Sequence, residues 1–532
     1  MNEIGRTMRG VLYEMGIIKE INKIQDIVDV PVSEDWYNKI GDWRGLYGGY
    51  LPAVHDTTRT TIGGGTSHSR IMSLGMPKIM SNEMASLIFN EKSEITVSTI
   101  TSEETETEED EFNEYLQEIF RKNRFLKNFR EHLERMFALG GMVIKPFYDT
   151  KSERIVLTYY SADNFIPLAW DNRQITSGIF LSYRREGKYK YTHMEIHRWD
   201  GVDKYTIEHK LFKSDTTAIE KIGKPVPITE LYDDLLEFTE INNIYQPLFV
   251  YMKPANANNF DFDVPLGISL YANVQDTLKL LDMAFDSYHR EFKLGKRRIL
   301  VPTSAIRSVI DPDTGESSRY FDADDEAYEA FNLGMDEGKI VDNTVPLRID
   351  EHVNAIESLL NTLSMQCGFS GGTFTFNDSS VKTATEIISE NSKTYKSKIS
   401  HESVVEEGIE QLIACIVTLT ELYVEDFNAP EDYEVAIAFN DVIAEDKGTE
   451  IERTISLVTS KLESRVSALM TIHGLTKEDA QEKLREIMEE DREITMSAVD
   501  AYGLVDPNTP AADPEDPAAP PENEPPTPPT AE

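Results

Sequence analysis

Apolar residues recur along this chain with the period of an α-helix in four places. Ile349, Val353, Ile356, Leu360 and Leu363 follow one another at spacings of 4, 3, 4 and 3, which puts them on one helix face. Leu270, Val274, Leu278, Leu281, Phe285, Tyr288 and Phe292 repeat at 4, 4, 3, 4, 3 and 4. They predict a helix of roughly 33 Å at 1.5 Å per residue, with Lys279, Asp282, Asp286 and Glu291 off the apolar stripe. From Ser380 to Tyr423, Ile387, Tyr395, Ile399, Val405, Ile409, Leu412, Ile416 and Leu419 carry a longer helix, which the hydroxyl of Ser379 or Ser380 can cap. Ile451, Ile455, Val458, Leu462, Val466 and Leu469 give a fourth. Gly474 can end it, and Thr476 with Asp479 offers a capping pair for the next. Residues 1–35 read as a mildly amphipathic helix, and 70–90 as a helix broken near Gly75 and Pro77.

The period changes to two between 141 and 255. G-M-V-I-K-P-F-Y-D, R-I-V-L-T-Y-Y, G-I-F-L-S-Y-R-R, Y-T-H-M-E-I-H-R-W and K-Y-T-I-E-H-K-L-F are short β-rich runs between turn residues. They predict a β-rich subdomain inserted between helical parts. E-I-T-V-S-T-I (94–100) and Y-E-V-A-I-A-F (433–439) read as two further strands. Strand alternation puts His193, Glu195 and His197 on one face, with His209 nearby. Without a closing ligand these read as exposed sheet histidines rather than a metal centre. The acidic run T-S-E-E-T-E-T-E-E-D-E (101–111) reads as the solvated start of a helix, its carboxylates near the positive end.

Composition narrows the function classes. Formal net charge is -41 over 532 residues, with 94 acidic and 53 basic side chains. That argues against a protein that clamps nucleic acid by counterion release, which needs a basic surface. Cys367 and Cys415 are the only cysteines, so neither a disulfide framework nor a zinc site is suggested. The first residues lack the apolar core of a secretory signal. The longest apolar stretch, 412–424, is short for a membrane span and carries Glu421. From about Val505 the chain is acidic and proline-rich, without Lys or Arg. It is expected to be disordered, because it cannot bury enough surface to offset ordering.

The most informative segment lies between the 349–363 and 380–423 helices. It runs from Gly368 through Phe369, Ser370, Gly371, Gly372, Thr373, Phe374, Thr375, Phe376 and Asn377 to Asp378. Helix–helix connections usually need only 2–8 residues. A mere linker would not need three phenylalanines.

G-F-S-G-G-T-F-T-F (368–376) and K-T-A-T-E-I-I-S-E-N-S-K-T (382–394) resemble the tunnel-loop region of tailed-bacteriophage portal proteins, the head–tail connectors of phages of Gram-positive hosts. W-R-G-L-Y-G-G-Y (43–50), S-L-G-M-P-K-I-M-S-N-E-M-A-S-L-I-F-N-E (73–91), A-L-G-G-M-V-I-K-P-F-Y-D (138–149), P-L-G-I-S-L-Y (265–271) and E-F-K-L-G-K-R-R-I-L-V-P (291–302) are similar to other parts of that family, in order, from roughly residue 36 to 500. The resemblance implies a mainly helical α+β portal fold. Its parts would be a wing (1–265, with the β-rich part at 141–255), a stem helix (266–295), a clip (296–347), a second stem helix (348–366), a tunnel loop (367–379), a long wing helix and strand (380–440), a crown (441–504) and the tail (505–532).

The same resemblance implies a structural role without catalysis, cofactor, metal or membrane. Twelve subunits would form a ring at one capsid vertex of the virion, assembled in the host cytoplasm. Double-stranded DNA would pass through the channel in packaging and ejection. Terminase would supply ATP hydrolysis and dock on the clip, and head-completion (adaptor) proteins would later take its place. Scaffold and major capsid protein would contact the wing. Residues 368–378 would face DNA. Lys279, Asp282, Asp286, Lys293, Lys296, Arg297 and Arg298 are channel candidates, and Arg307, Asp311, Asp313 and Glu316 are candidates for motor or adaptor docking.

Enzyme motifs are formally present and chemically incomplete. Gly368 to Gly372 matches G-x-S-x-G, but a helix pattern precedes it where a strand is required. Asp311 to Gly315 resembles the start of a calcium loop, without the third ligand or the distal glutamate. Gly334 to Lys339 is one residue short of a phosphate-binding loop. A nucleic-acid-processing or hydrolytic enzyme built on Ser370 or an acidic cluster stands as the alternative, with a cellular scaffold unrelated to phage as a third reading.

Overall fold

The computed structural model describes residues 27–488, apart from 61–64, 91, 100–105, 216–221, 296–298, 303–307, 311–316, 320–327, 332–340, 343–344, 376–383, 425–426, 428–429, 431, 440–453, 461–463, 474–479 and 482. The predicted 1–35 helix thus lies mostly outside the described residues, and 27–33 is not helical. Two compact units are present, 1–443 and 444–532. The second contains helical segments at 454–459 and 483–488 and a helix at Arg465–His473.

The larger unit is α+β. Helix α1 (Glu34–Tyr47) buries Trp36, Ile40, Trp43 and Leu46. A polar hairpin follows, β1 (Asp56–Thr60) with β2 (Thr66–Arg70). Helix α2 (Met76–Ile88) begins where the sequence suggested a break. Gly75 takes a left-handed φ of 73° at the cap, which costs glycine little. Pro77 sits in the first turn, where a missing N–H does no harm. Strand β3 (Glu94–Thr99) alternates as expected, with Ile95 and Val97 buried. Helices α3 (Glu106–Lys122) and α4 (Phe125–Leu139) pack an aromatic cluster, in which Phe125 stacks on Phe129 at 4.9 Å.

The β-rich region forms two sheets. β4 (Met142–Asp149) pairs antiparallel with β5 (Arg154–Ser161). A six-stranded sheet contains β6 (Phe165–Asp171), β7 (Gln174–Glu186), β8 (Tyr189–Trp199), β9 (Lys204–Ser214), β10 (Lys224–Val226) and β11 (Phe238–Asn242), the last two both paired to β9. β12 (Val250–Met252) returns to pair with β4, completing the smaller sheet.

The histidine reading needs correction. His193, Glu195 and His197 share a face as predicted, but the face is buried. Glu195 reaches across to Lys145 of β4 at 2.5 Å and accepts from His197 Nε2 at 2.7 Å. His197 Nδ1 lies 2.7 Å from the Tyr205 hydroxyl, and His193 Nε2 lies 3.1 Å from His209 Nδ1. Paired charge makes this burial tolerable, and breaking one partner would leave an uncompensated ion. Alternation identifies a shared face but not which side another sheet covers.

Helix α5 (Gln275–Leu294) starts later than its apolar pattern, because Leu270 to Val274 form a buried turn. The intervening segment contributes β13 (Ile299–Pro302), β14 (Ser308–Ile310), β15 (Ser317–Arg319), β16 (Tyr328–Phe331) and β17 (Val341–Asp342). β13 pairs parallel with β16 and antiparallel with β17, and β14 pairs with β15. Helix α6 (Ile349–Gln366) and the 40-residue helix α7 (Ala384–Tyr423) follow. β18 (Tyr433–Ala438) pairs with β3.

Two glycine motifs meet in this core. Gly140 ends α4 with φ 84°, and a Cβ there would lie 2.6 Å from the Gly267 carbonyl. A Cβ on Gly267 would lie 2.4 Å from the Gly140 carbonyl. The Leu270 amide donates to Phe137 at 2.9 Å. The segment leading into α5 is therefore seated backbone to backbone on the end of α4.

Buried imidazoles predict acid sensitivity. Burial lowers His193 and His401 to about 4 and holds His197 and His209 below the usual range. His401 Nδ1 accepts the Ala255 amide at 3.0 Å, which requires the unprotonated nitrogen. A depressed histidine pKa means that the unfolded chain binds more protons between about 4 and 6.5. The melting temperature is expected to fall steadily from pH 7 to pH 4.5 in a calorimetric series. A flat profile would show that these groups are solvated.

Candidate functional site

α5 and α6 lie antiparallel. Near one end Thr277 Oγ1 donates to Gln366 Oε1 at 2.9 Å. At the other, Glu291 accepts from Arg348 three times, from the backbone N at 3.2 Å, Nε at 3.2 Å and Nη2 at 2.9 Å. His352 Nε2 lies 3.7 Å from the same carboxylate. These bonds to Arg348 hold the Glu291 carboxyl at about 2. The linkage joins the two ends of the 296–347 insertion, and sequence inspection missed it. The signal was Glu291 lying off an apolar stripe, with Arg348 just before the next helix.

The channel candidates on α5 separate into two groups. Asp282 is buried and faces the subunit interior, contrary to its assignment as a channel position. Its Oδ1 accepts the Leu74 amide at 2.7 Å, and its Oδ2 lies 3.0 Å from His55 Nε2. Asp286 likewise turns inward, toward the Met72 amide at 3.4 Å and Arg290 at 3.6 Å. These acids tie the extended 71–75 segment, and with it the β1–β2 hairpin, onto α5. Lys279 and Lys293 are exposed, as are Leu280 and Met283. Lys296, Arg297, Arg298, Arg307, Asp311, Asp313 and Glu316 lie outside the described residues. Asp311, Asp313 and Glu316 fall between the paired strands β14 and β15.

The loop after α6 has a built root. Gly368 turns the chain at φ 86°. Phe369 is fully buried and meets Phe374 edge to face at 5.1 Å. The Ser370 amide donates to Thr394 Oγ1 at 2.8 Å, and Ser370 Oγ accepts from the Thr394 amide at 3.1 Å. The Gly372 amide donates to Asn361 Oδ1 at 2.7 Å, and Thr373 Oγ1 donates to the Ser370 carbonyl at 2.8 Å. Phe369 and Ser370 therefore belong to the interior and are not presented to a lumen, because the loop needs an anchor between two helices. Gly371, on a tight turn, and Thr375 are exposed, Gly372, Thr373 and Phe374 are half-buried, and Phe376, Asn377 and Asp378 lie outside the described residues.

This geometry removes the chemistry that a hydrolase centred on Ser370 requires. Ser370 is 2 % exposed, and its hydroxyl is occupied by Thr394. A nucleophile must be open to substrate and paired with a base. Burial pushes the Cys367 and Cys415 thiols up to about 12, which keeps them unreactive. Among the described residues, no group of three His, Cys, Asp or Glu side chains is placed to hold a metal ion.

Two glycines of the loop should respond in opposite ways to alanine. A Cβ on Gly368 would face both the left-handed backbone and Ser397 Oγ at 2.6 Å. Gly368→Ala is expected to cost about 1–2 kcal/mol of stability. Gly371 has open space around it, and Gly371→Ala should stay within about 0.5 kcal/mol. Chemical denaturation of both variants checks this, and equal losses would contradict the described root.

No helix among the described residues is long and apolar enough to cross a membrane. No curated protein matches the chain. The family model described as "Phage portal protein, SPP1 Gp6-like" matches residues 63–496. That range takes in both sheets, the antiparallel helix pair, the anchored loop and α7, and by it the chain belongs to the phage portal proteins of the SPP1 Gp6-like family.

Proposed function

We propose that twelve copies of this chain close into a ring at one capsid vertex, and that double-stranded DNA passes through its channel during packaging and ejection. The observation that carries this reading is membership of a phage portal family across residues 63–496. In this reading α5 and α6 are the stem, the 296–347 insertion is the clip on which terminase and later head-completion proteins dock, and the 367–379 loop borders the channel. Scaffold and major capsid protein contact the 1–265 wing, and the 441–504 crown completes the ring. The chain is a structural conduit, with ATP hydrolysis left to the motor.

Physical arguments support the assignment. A strongly acidic protein suits a duplex that must move, since dense phosphate binding would hold it still. Exposed Leu280 and Met283 on α5 are a surface that a neighbouring copy would cover. With Phe369 and Ser370 fixed inside the subunit, the parts of the loop available to DNA are the exposed turn at Gly371 and the segment from Thr375 onward.

Purified protein should form closed rings, since head-to-tail contacts close when the rotation permits. Twelve copies of 60.5 kDa, the number that the family resemblance implies, amount to about 0.7 MDa by mass photometry. A monomer or dimer at every concentration would overturn the reading.

A second outcome concerns the loop alone. Replacing Thr375–Asp378 by a Gly-Ser link, with Phe369 to Phe374 retained, should permit rings and prohead docking while lowering packaged DNA. Normal DNA content per particle would refute a role for the loop in the channel.

A further inference from the structure

One cavity lies away from the helix pair and its loop. It measures about 660 Å³ and opens between β3 and the junction of α3 with α4. Its walls include Ile95, Phe120 and Phe125, which are buried apolar side chains. Its lining also includes Arg121, Arg124 and Lys127.

The charge here runs against the rest of the chain. Five basic residues fall at 121, 122, 124, 127 and 130, and no Asp or Glu occurs from 119 to 130. This stretch sits in a protein of net charge -41. Arg121 and Lys122 share Glu118, at 3.9 and 2.8 Å. Arg124 and Lys127 are exposed and make no ion pair among the described residues. Leu126, between them, is 41 % exposed. The first turn of α4 has no side-chain cap and no acidic residue, so its amide end adds positive potential at the same place.

Strand addition does not explain the cavity. The β3 edge is occupied by side chains of α3, with Asn113 Oδ1 accepting the Val97 amide at 3.3 Å and Gln117 Nε2 donating to the Ile95 carbonyl at 2.5 Å. What remains is an apolar floor beside unpaired cations. DNA is a poor match. Three cations give few phosphate contacts, and an apolar floor offers nothing to a phosphate backbone. A single carboxylate-bearing segment with an apolar side chain matches both halves.

We propose that this cavity is a docking site for an extended acidic peptide of a partner protein. An apolar side chain of that peptide lies over the floor formed by Ile95 and the packed Phe120–Phe125 pair, whose rings are 4.7 Å apart, and its carboxylates meet Arg124 and Lys127. The surface is independent of the channel reading and would hold for the isolated subunit as well as for a ring.

The probe is a fluorescein-labelled octapeptide of alternating glutamate and leucine, titrated with the full-length protein and followed by anisotropy. So acidic a protein repels an acidic peptide in general, so binding itself reports the local reversal. Binding is expected to weaken at least tenfold in Arg124→Glu/Lys127→Glu, to weaken with added salt, and to weaken in Leu126→Ser. A glutamate–serine octapeptide should bind at least tenfold less tightly. Circular dichroism melting of each variant confirms that folding is retained, and milder Arg124→Gln/Lys127→Gln replaces the charge reversal if that variant unfolds. No binding by the wild type, unchanged binding by the double variant, or equal binding of a short DNA duplex of matched charge would each overturn the proposal.

Discussion

The constraint on which the larger unit depends is the contact of two backbones at Gly140 and Gly267. Nothing can stand between them, since a Cβ on either would lie within 2.6 Å of the other's carbonyl oxygen. Gly140 closes α4 and only Gly141 separates it from β4, so two glycines set the angle between helix and sheet. Gly267 leads into the turn before α5, and the Leu270 amide on Phe137 fixes its register. Tyr251 joins the arrangement, its hydroxyl donating to the Gly140 carbonyl and accepting the Gly267 amide. Helix pair, β-rich region and the helices before it thus take their positions from a few residues of close approach.

Acidic residues divide into two populations with different physical roles. Among the described residues, most are exposed. A few, buried or half-buried, act as connectors. Glu195 joins the two sheets through Lys145, Asp282 joins α5 to the 71–75 segment, and Glu291 joins the ends of an insertion. Each accepts more than one donor, and for the buried Glu195 and Asp282 this is what stabilises a carboxylate removed from water. Formal charge therefore overstates how negative the outer face of α5 is, because its two inward acids leave Lys279 and Lys293 exposed.

The sequence made the helices legible wherever an apolar stripe was long. The 349–363 seam became α6, and the 380–423 pattern became α7 from Ala384 onward. Strands at 94–100 and 433–439 were legible as strands, but not as partners in one ribbon, because pairing is set by tertiary distance rather than by alternation. Periodicity misplaced the start of α5, since Leu270 and Val274 are buried in a turn that satisfies the same spacing. It also misjudged the histidines of β8. A polar residue on a strand face looks solvated until a second sheet covers it, and only the Lys145 partner, fifty residues away, reveals the burial. Phe369 and Phe374 drew attention as aromatics in a loop, yet one is an anchor. Composition cannot distinguish an aromatic that holds a loop down from one that a loop presents.

The Glu291–Arg348 linkage has a mechanical consequence. The 296–347 insertion leaves the body after α5 and returns to it before α6, and the two strands of chain are fastened together at that point. A force pulling on the insertion meets this linkage before it parts the two helices. It must load both in parallel, and shear along paired helices resists far more than unzipping at one end. Load applied to the insertion therefore reaches α5 and α6 at one shared point, where Glu291 meets Arg348.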